Sequence, residues 1–386
     1  MIRHIRVPEG KHDEEPTDCC GLLSFQEGNM AGSTFGKLLT MTTWGESHGA
    51  GIGVVVDGCP AGLSISEEDI QILLDRRKPG GRDFATPRQE ADRVRILSGI
   101  FGGKTTGTPI SMMIENTSQR SSDYGELAYT YRPGHADFGY DQKYGFRDHR
   151  GGGRSSGRET AGRVAAGAIA KKLLEHFGIS VNAYVSAIGP VNCDPEHFDM
   201  EEIGRNPLCM PDADAAEKAA AFLKELMEQK DSSGSEVTCI VKGVPAGIGE
   251  PVFDKLDAVI GQAVFSIGAV KAVEIGDGTK VVQSRGSLNN DSFCMKDGKV
   301  VKKTNHAGGI LGGISDGSDI LVRASFKPTP SIFREQDTVN ASGEEVKLSI
   351  RGRHDPVIGP RASVVVEAMT AFAIADLLLI QRSGRL

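Results

Sequence analysis

The order of strand-like and helix-like segments is the feature that most limits how this chain can fold. A helix capped at Ser66 is predicted to run to about Arg77, and strands are predicted at 93–98 and 109–115. The second half mixes both types again, without the strict alternation that builds a parallel sheet. This order predicts an α+β fold in layers and argues against a Rossmann sheet.

The remaining predicted elements rest on the same hydrophobic patterns. They are a helix at 155–177, a surface helix at 212–230, a strand at 237–241, a helix at 251–265, strands at 270–275, 320–326 and 346–350, and a closing helix at 361–381. The pattern is weak over 181–235, which we interpret as a variable surface segment. With 386 residues, the chain exceeds the roughly 250–300 residues at which single cores usually stop growing, so we expect two lobes or one large layered domain.

A glycine-bounded turn at 45–49 places a carboxylic acid, a hydroxyl and an imidazole on three consecutive residues, Glu46, Ser47 and His48. Glycines allow the backbone to approach a ligand closely, and a β-branched run predicts a buried strand at 54–56 directly afterwards. The pattern G-x-S-x-G also fits the nucleophile elbow of serine hydrolases, but that motif requires a helix straight after the serine. We therefore interpret the turn as a reactive site of another kind.

Two other stretches predict anion sites. The turn at 152–156 is expected to open a helix, whose free amides and positive dipole end would bind an anion together with Ser155 and Ser156. The stretch 327–331 offers one lysine and two hydroxyls after a strand. Residues 98–105 match a P-loop except at its first glycine, and no Mg²⁺-binding strand is obvious, so nucleotide binding there is not favoured.

The formal charge of −7 conceals two arginine-rich stretches, at 76–95 and 147–163. Because the planar guanidinium group pairs bidentately with carboxylates and phosphates, these stretches favour a small polyanionic ligand. Nucleic acid is not expected, since it would favour a positive overall charge. A solvated helix face stays an alternative for Arg88, Arg93 and Arg95.

Composition disfavours several classes of protein. Seven cysteines are scattered without a C-x-x-C pair, which indicates a reduced, cytoplasmic protein, and the histidines lack the spacing of metal ligands, so no metal is expected. No apolar run reaches the ~18 residues of a membrane span. The acidic residues 1–29 resemble neither a signal peptide nor a transit peptide. We expect a disordered, dispensable leader there, with a short ordered arm as the alternative.

Three blocks in register resemble the chorismate synthase family. The first is the turn at 45–49 with its strand and the D-G-x-P sequence at 57–60. The second, at 132–161, contains R-P-G-H-A-D and R-G-G-G-R-S-S-G-R-E-T-A, and the third, at 351–369, begins R-G-R-H-D-P. The resemblance spans nearly the whole chain. It implies one domain from residue 30 to 386, folded as a layered β-α-β sandwich.

The resemblance also implies a specific reaction. Members of this family convert 5-enolpyruvylshikimate 3-phosphate to chorismate, the last step of the shikimate pathway, by an anti-1,4 elimination of phosphate and a ring proton. Reduced FMN is required although there is no net redox change, and NADPH reduces the flavin in some members. The substrate carries two carboxylates and a phosphate, which matches the arginine-rich stretches. A cytoplasmic homotetramer without nucleic-acid or membrane partners is implied as well.

Individual residues acquire roles from the same resemblance. His48 would donate a proton to the leaving phosphate, His135 would lie near the flavin, and Asp355 would accept the proton collected by flavin N5. Polyanionic ligands are expected to raise the pKa of the two imidazoles and to favour their cationic form. The implied residues on the substrate or NADPH side are Arg77, Arg82 and Arg158. The implied flavin contacts are Arg154, Ser155, Ser156, Gly268, Ala269, Gly312, Lys327, Pro328, Thr329, Pro330, Ser331 and Arg353.

Two departures and two alternatives qualify this interpretation. Gly268 and Ala272 differ from the usual family pattern around one flavin contact. A flavin-dependent oxidoreductase would share the flavin site, but it would oxidise one NADPH for each product formed. An anion-binding module would keep the arginines and would have no use for His48 or Asp355. Chorismate formation from substrate and reduced FMN without oxygen would separate the three.

Overall fold

Two five-stranded antiparallel sheets enclose a layer of helices in this protein. The computed structural model describes residues 32–80, 83–85, 90–117, 128–350 and 355–384. The strands of the first half of the chain are β1 (Thr34–Phe35), β2 (Thr40–Gly45), β3 (Gly51–Asp57), β4 (Val94–Ile96), β5 (Ile100–Phe101), β6 (Lys104–Thr105) and β7 (Ile110–Glu115). The first sheet has the order β1-β2-β3-β7-β4, and β5 pairs with β6 in a small hairpin.

The second sheet is built from the later part of the chain. Its strands and those of the neighbouring hairpins are β8 (Ser180–Ile188), β9 (Val191–Asn192), β10 (Ser235–Lys242), β11 (Val270–Ile275), β12 (Phe293–Lys296), β13 (Lys299–Lys302), β14 (Ile310–Leu311), β15 (Ile314–Ser315), β16 (Ile320–Phe326), β17 (Gln336–Val339) and β18 (Glu345–Leu348). The sheet order is β11-β16-β10-β8-β9. Three two-stranded hairpins, β12-β13, β14-β15 and β17-β18, complete this half.

Helices fill the layer between the sheets and part of the surface. They are α1 (Glu67–Arg77), α2 (Asp137–Tyr144), α3 (Thr160–His176), α4 (Glu202–Arg205), α5 (Ala213–Glu228), α6 (Leu256–Phe265), α7 (Gly286–Asn289) and α8 (Gly359–Ser383). Helix α3 rests on β2, β3 and β7 of the first sheet, whereas α8 rests on β8 and β10 of the second. The chain from Ser33 onward forms one compact unit.

Close contact between α3 and α8 holds the layers together. Gly167 makes this contact possible, because a Cβ atom at that position would lie only 2.3 Å from the Cβ atom of Ala368. Hydrophobic strand faces pack on both sides of the helix pair and form one continuous core. The predicted α+β layering is confirmed, and the architecture is not a Rossmann sheet.

Sequence patterns located many elements within a few residues. Helix α1 begins as predicted, because the Ser66 hydroxyl accepts from the Asp69 N–H at 3.2 Å and the Asp69 carboxylate accepts from the Ser66 N–H at 2.9 Å. The helix predicted from residue 155 begins only at Thr160. Ser156 has an extended backbone, with φ −70° and ψ 141°, and it separates two short 3₁₀ turns that precede α3.

Strand β8 corrects the prediction of a surface segment at 181–235. It pairs along its length with β10 inside the second sheet. Val181, Ala183 and Val185 alternate as buried residues, but a small alanine among polar neighbours weakens the hydrophobic pattern in the sequence. The helix predicted at 212–230 is present as α5.

Helix α8 is long and apolar enough to cross a membrane by length and composition, which the sequence analysis did not predict. Glu367 and Asp376 interrupt its apolar run. In the structure, 89% of its apolar 18-residue window is buried inside the protein. Both carboxylates are paired there, Glu367 with Arg76 and Lys171, and Asp376 with the backbone N–H groups of 37–39. We therefore interpret α8 as the core helix of the sandwich.

Candidate active site

The turn that carries His48 connects β2 to β3. The Gly49 N–H donates to the Glu46 carbonyl at 3.1 Å and closes this turn. The Nδ1 atom of His48 lies 3.1 Å from the hydroxyl of the buried Ser47. Gly151 approaches the same nitrogen, since a Cβ atom added to it would lie 2.5 Å away, and its φ of 136° also favours glycine. A hydroxyl and a neighbouring backbone segment thus fix the imidazole.

Close to this turn lies a buried ion cluster, the Asp92 cluster, formed by Arg77, Glu90, Asp92 and Arg158. Asp92 accepts from Nη1 of Arg77 at 2.5 Å and, through its other oxygen, from Nη1 of Arg158. Nη2 of Arg158 lies 2.9 Å from the Glu90 carboxylate. No side chain of the four is more than 4% exposed. Two guanidinium groups and two carboxylates therefore balance in charge inside the protein.

Burial and charge compete in the Asp92 cluster. Burial raises the pKa of Asp92, but the charges of Arg77 and Arg158 outweigh this effect, and the pKa lies below its ordinary value. Burial lowers the pKa of Arg77 to about 10, with the charges of Arg361 and Arg158 adding to the effect and Asp92 opposing it. Asp92 and Arg77 are therefore charged at neutral pH. Removing one member would leave an uncompensated buried charge.

Two contacts join the Asp92 cluster to the predicted catalytic groups. Nε of Arg158 donates to Oδ1 of Asn116 at 2.8 Å, and the side-chain amide of Asn116 donates to two carbonyls of the His48 turn. In the other direction, Nε of Arg361 donates to the Arg77 carbonyl at 3.1 Å. Nη1 of the same Arg361 pairs with Asp355 at 2.5 Å. A path of hydrogen bonds thus runs from the His48 turn to Asp355, and it crosses covalently from the guanidinium group of Arg77 to its main-chain carbonyl.

Asp355 lines a small cleft with cationic and aromatic groups. Lys78, Phe84 and Arg361 contribute to the same lining. Phe84 has a φ of 62°, which bulky residues rarely adopt. Backbone outliers of this kind cluster at ligand-binding sites. The lining also contains Asp83 and apolar residues, so two cationic and two carboxylate side chains face this cleft.

A second group of predicted residues meets at the start of β11 and the end of β16. We name it the His135 cluster, and it comprises Gly134, His135, Ala269, Lys327 and Ser331. The ammonium group of Lys327 donates to the Gly134 carbonyl at 2.6 Å, and the Lys327 N–H donates to the Ala269 carbonyl at 3.0 Å. Ala269 has a φ of 74°, in the left-handed region. The structure thus joins residues from three separate stretches of the sequence.

His135 is neutral at pH 7 in this environment. Its Nδ1 must donate to the Pro133 carbonyl, 3.0 Å away, so its Nε2 accepts from the Ser331 hydroxyl, also at 3.0 Å. Burial lowers the pKa of His135 from 6.5 to about 4, and the charge of Arg132 adds to this effect. The sequence analysis expected polyanionic ligands to favour a cationic ring. The protein environment instead lowers the pKa of this ring and favours its neutral form.

The loop from Lys327 to Ser331 fits an anionic ligand. Burial lowers the pKa of Lys327, and the charge of Lys271 lowers it further, with no carboxylate of the described chain offsetting either effect. The buried hydroxyl of Thr329 has no hydrogen-bond partner among the residues that the structure describes. A phosphate group near these side chains would supply the missing negative charge and an acceptor.

The second glycine turn is engaged with protein groups. Arg154 donates to the Gly45 carbonyl at 3.1 Å and to the Thr43 hydroxyl at 2.6 Å, and it thereby braces the end of β2 next to the His48 turn. The hydroxyls of Ser155 and Ser156 bond to backbone groups of their own segment, at 2.7 and 3.2 Å. Flavin contact by these three residues stays a prediction.

Arg77 and Arg158, which were predicted to lie on the substrate or NADPH side, face protein groups instead of the cleft. Their side chains are 2% and 4% exposed, and Asp92 lies between them. A direct ligand contact by either guanidinium group would require its ion pair to open. Arg82 and Arg353 lie outside the described residues.

Gly312 is separated from the other predicted flavin contacts. It forms the turn of the β14-β15 hairpin, where the Gly313 carbonyl accepts from the N–H of Leu256 at the start of α6. Ala269, whose carbonyl accepts from the Lys327 N–H, follows the other end of that helix, and its ten residues span about 15 Å. Within this chain, Gly312 does not join the His135 cluster.

Five residues in or next to these clusters were not predicted as site residues from the sequence, namely Glu90, Asp92, Asn116, Lys271 and Arg361. Asn116 had the clearest signal, because it follows directly after a predicted strand, in a position where polar residues often serve a site. The others are single charged residues whose partners are distant in sequence. In the described part of the chain, no group of three His, Cys, Asp or Glu residues could hold a metal ion.

Comparison with known proteins identifies the family of this chain. A family model described as chorismate synthase matches residues 39–379. The chain is 61% identical over 358 residues to the chorismate synthase of Lachnoclostridium phytofermentans, covering 92% of this chain and 98% of that relative. The chain belongs to the chorismate synthase family. It is therefore a carbon–oxygen lyase.

Other family members extend the comparison. The chorismate synthase of Methanosarcina mazei is 54% identical over 358 residues, with 92% of this chain and 98% of the relative covered. A solved structure described as a crystal structure of chorismate synthase superposes with a TM-score of 0.72 at 33% identity. That match covers 89% of this chain and 93% of the solved chain, so the family fold extends over nearly the whole compact unit.

Proposed function

We propose that the protein converts 5-enolpyruvylshikimate 3-phosphate to chorismate by an anti-1,4 elimination of phosphate, with reduced FMN as cofactor. The observation that carries this proposal is the hydrogen-bonded path from the His48 turn through the Asp92 cluster to Asp355. Through this path, the proposed proton donor, His48, and the proposed proton acceptor, Asp355, are held in one hydrogen-bonded framework. An elimination that releases phosphate and removes a ring proton needs both groups.

The His135 cluster is tied to the same framework. The Pro356 carbonyl, adjacent to Asp355, accepts from the Ser233 N–H at 2.9 Å, and the neighbouring Ser232 hydroxyl donates to the Thr329 carbonyl at 2.8 Å. The loop that fits an anion is therefore anchored beside the segment that carries Asp355. We propose that substrate and flavin stack between the His48 turn, Asp355 and the His135 cluster.

His48 would donate a proton to the departing phosphate. Its imidazole meets the first requirement for such a role, because Ser47 and Gly151 leave it little freedom to rotate. Asp355 would accept a proton at its carboxylate, which Arg361 holds in position at 2.5 Å. His135 and Ser331 would present a neutral imidazole and a hydroxyl to the flavin.

The chain offers suitable groups for FMN. Lys327 and Lys271 would bind its phosphate, the Thr329 hydroxyl would gain a hydrogen-bond partner, and Ala269 would lie beside the ring. Reduced FMN, when bound, supplies electron density to the breaking carbon–oxygen bond and regains it, so that no net oxidation occurs. NADPH would serve as its reductant. The protein would exclude water and match the charges of both ligands.

The remaining cationic groups would act on the substrate side. Arg82, Lys78 and Arg361 would meet the two carboxylates and the phosphate, whereas Arg77 and Arg158 would support the site through Asp92. We further propose a cytoplasmic homotetramer. Sedimentation equilibrium at micromolar concentration checks the assembly, and a stable monomer would contradict it.

The decisive experiment follows product formation without oxygen. Enzyme with pre-reduced FMN should convert the substrate to equal amounts of chorismate and inorganic phosphate over many turnovers, while the flavin absorbance returns to its reduced spectrum. Consumption of one NADPH for each product would point to an oxidoreductase. Binding of the substrate without any product would point to an anion-binding module.

Replacement of Asp355 tests its assignment within this function. Asp355→Asn preserves size, so FMN and substrate affinity should stay within about threefold while kcat falls by about 10²- to 10⁴-fold, as expected for the loss of a general base. Asp337→Asn is the matched control, because Asp337 is 87% exposed. If Asp355→Asn weakened FMN binding but left single-turnover rates normal, the residue would be structural.

A further inference from the structure

The structure assigns to Asn116 the role of a positioning residue for His48. This inference rests on the proposed function, because it concerns how the proton donor is held. Asn116 follows β7 directly and is half-buried. Its side-chain amide donates to the carbonyls of Glu46 and Gly49, both at 2.9 Å. These are the two carbonyls that flank Ser47 and His48.

The backbone of Asn116 adds a third contact to the same loop. Its N–H donates to the Ala50 carbonyl at 3.1 Å, where β3 begins. The turn therefore receives three hydrogen bonds from one residue, in addition to its own bond between Gly49 and Glu46. A single displacement of Asn116 would move both ends of the turn, and the imidazole with it.

The orientation of this amide is fixed by its neighbour. A guanidinium group only donates hydrogen bonds, so the atom that faces Nε of Arg158 at 2.8 Å must be the carbonyl oxygen of Asn116. The NH₂ group then faces the two carbonyls of the turn. Arg158 in turn is held by Asp92 and Glu90. The Asp92 cluster thus sets the position of His48 through Asn116.

The substitution Asn116→Asp tests this role sharply. Aspartate keeps the shape and still accepts from Arg158, but it places an acceptor against the carbonyls of Glu46 and Gly49. We expect kcat to fall by about 10- to 100-fold, because small displacements of a catalytic group cost that much. Affinity for FMN and for the substrate should stay within about threefold, and the NMR resonance of the His48 imidazole should shift.

Two further variants keep the test independent of folding defects. Asn116→Ser shortens the side chain without adding charge and should show the same pattern with a smaller loss of kcat. Asn192→Asp introduces the same charge at the end of β9, where the side chain of Asn192 donates to the Pro190 carbonyl. This control should keep kcat within about twofold of the wild type.

A double-mutant cycle shows whether Asn116 acts through His48. In a His48→Ala background, Asn116→Asp should reduce the remaining rate by less than about twofold, because there is no imidazole left to position. If Asn116→Asp reduced the rate by the same factor with and without His48, the inference would be overturned. It would also be overturned if the Asn116→Asp and Asn116→Ser variants both kept a normal kcat. If His48→Ala itself kept normal turnover, the proposed role of His48 would fail, whatever Asn116 does.

Discussion

Two ion clusters, each built on a buried carboxylate, use similar groups at different places in this protein. Two adjacent arginines at the end of α1 each contribute a guanidinium group to a different cluster. Arg77 belongs to the Asp92 cluster, whereas Arg76 forms a bidentate pair with Glu367 at 2.9 and 2.8 Å. Glu367 also accepts from Lys171. We name this second group, Arg76, Lys171 and Glu367, the Glu367 cluster.

The two clusters differ in which parts of the protein they connect. Glu367 accepts in addition from the N–H of Ala183 on β8, so its cluster joins α1, α3, α8 and the second sheet within the core. Burial raises the pKa of Glu367, but Arg76 and Lys171 outweigh it and keep the carboxylate charged. The Asp92 cluster instead leads to the His48 turn and to Asp355. Similar chemistry thus serves stability in one place and the geometry of the site in the other.

The largest expected effect is on stability, in the Glu367 cluster. Glu367→Gln keeps the shape but leaves Lys171, which is 15% exposed, and Arg76, which is 35% exposed, without their buried counter-charge. The free energy of unfolding should fall by about 3 kcal/mol, the low end of the range for breaking a buried pair, because Arg76 keeps contact with solvent. Urea denaturation at pH 7 measures this change. The kcat of the folded fraction should stay within about twofold. A large loss of kcat with unchanged stability would contradict the claim that the Glu367 cluster serves stability.

Asp92→Asn should affect mainly the turnover rate, in contrast to Glu367→Gln. Both arginines lose their shared counter-charge, and the hold on Asn116 loosens, so kcat should fall by about tenfold or more in protein that is still folded. We expect a smaller loss of stability than in Glu367→Gln, about 2 kcal/mol, because Glu90 remains beside Arg158. Rate measurements corrected for the folded fraction check this. A purely proportional loss of activity and folded protein would contradict it.

A pH titration tests the environment of the His135 cluster. The pKa of His135 is lowered from 6.5 to about 4 in the folded protein, so the unfolded chain binds more protons between these values. As pH falls from about 6.5 to 4, the wild-type protein should therefore lose stability relative to the His135→Gln variant. Above about pH 7, the stabilities of the two proteins should change with pH in parallel. Melting temperatures across this range measure the difference. His149→Gln is the control for a histidine on the surface.

The smallest effect should come from an exposed pair, which gives a baseline for both clusters. Arg205 pairs with Glu201 one helical turn away, and their side chains are 58% and 75% exposed. Arg205→Ala should change the free energy of unfolding by less than about 0.5 kcal/mol, because solvent screens such pairs. A change of several kcal/mol would mean that burial does not separate the clusters from surface pairs.

Periodicity predicted the parts of the fold that local sequence determines. Helix α1, strands β11 and β16 and the closing helix lie close to their predicted positions. Strand β8 was missed because its buried alanine and polar neighbours give a weak pattern, and its place in the sheet depends on pairing with β10. The start of α3 was misplaced because Ser156 breaks the helix locally.

The site was predicted in part for a similar reason. Motifs identified His48, His135 and the loop at Lys327, but no motif reveals pairs between distant residues. Arg158 and Asp92 are 66 positions apart, and Arg361 and Arg77 are 284 apart. Sequence reasoning therefore placed Arg77 against the ligand, whereas the structure buries it in an ion pair with Asp92.

The most direct test of this account compares the same substitution in both clusters. Arg158 uses Nε, Nη1 and Nη2 on three different partners, and lysine cannot replace that fork. Arg158→Lys should lower kcat at least about tenfold in folded enzyme with pre-reduced FMN, whereas Arg76→Lys should lower stability and keep kcat within about twofold. Equal kcat values in the two variants would contradict the account.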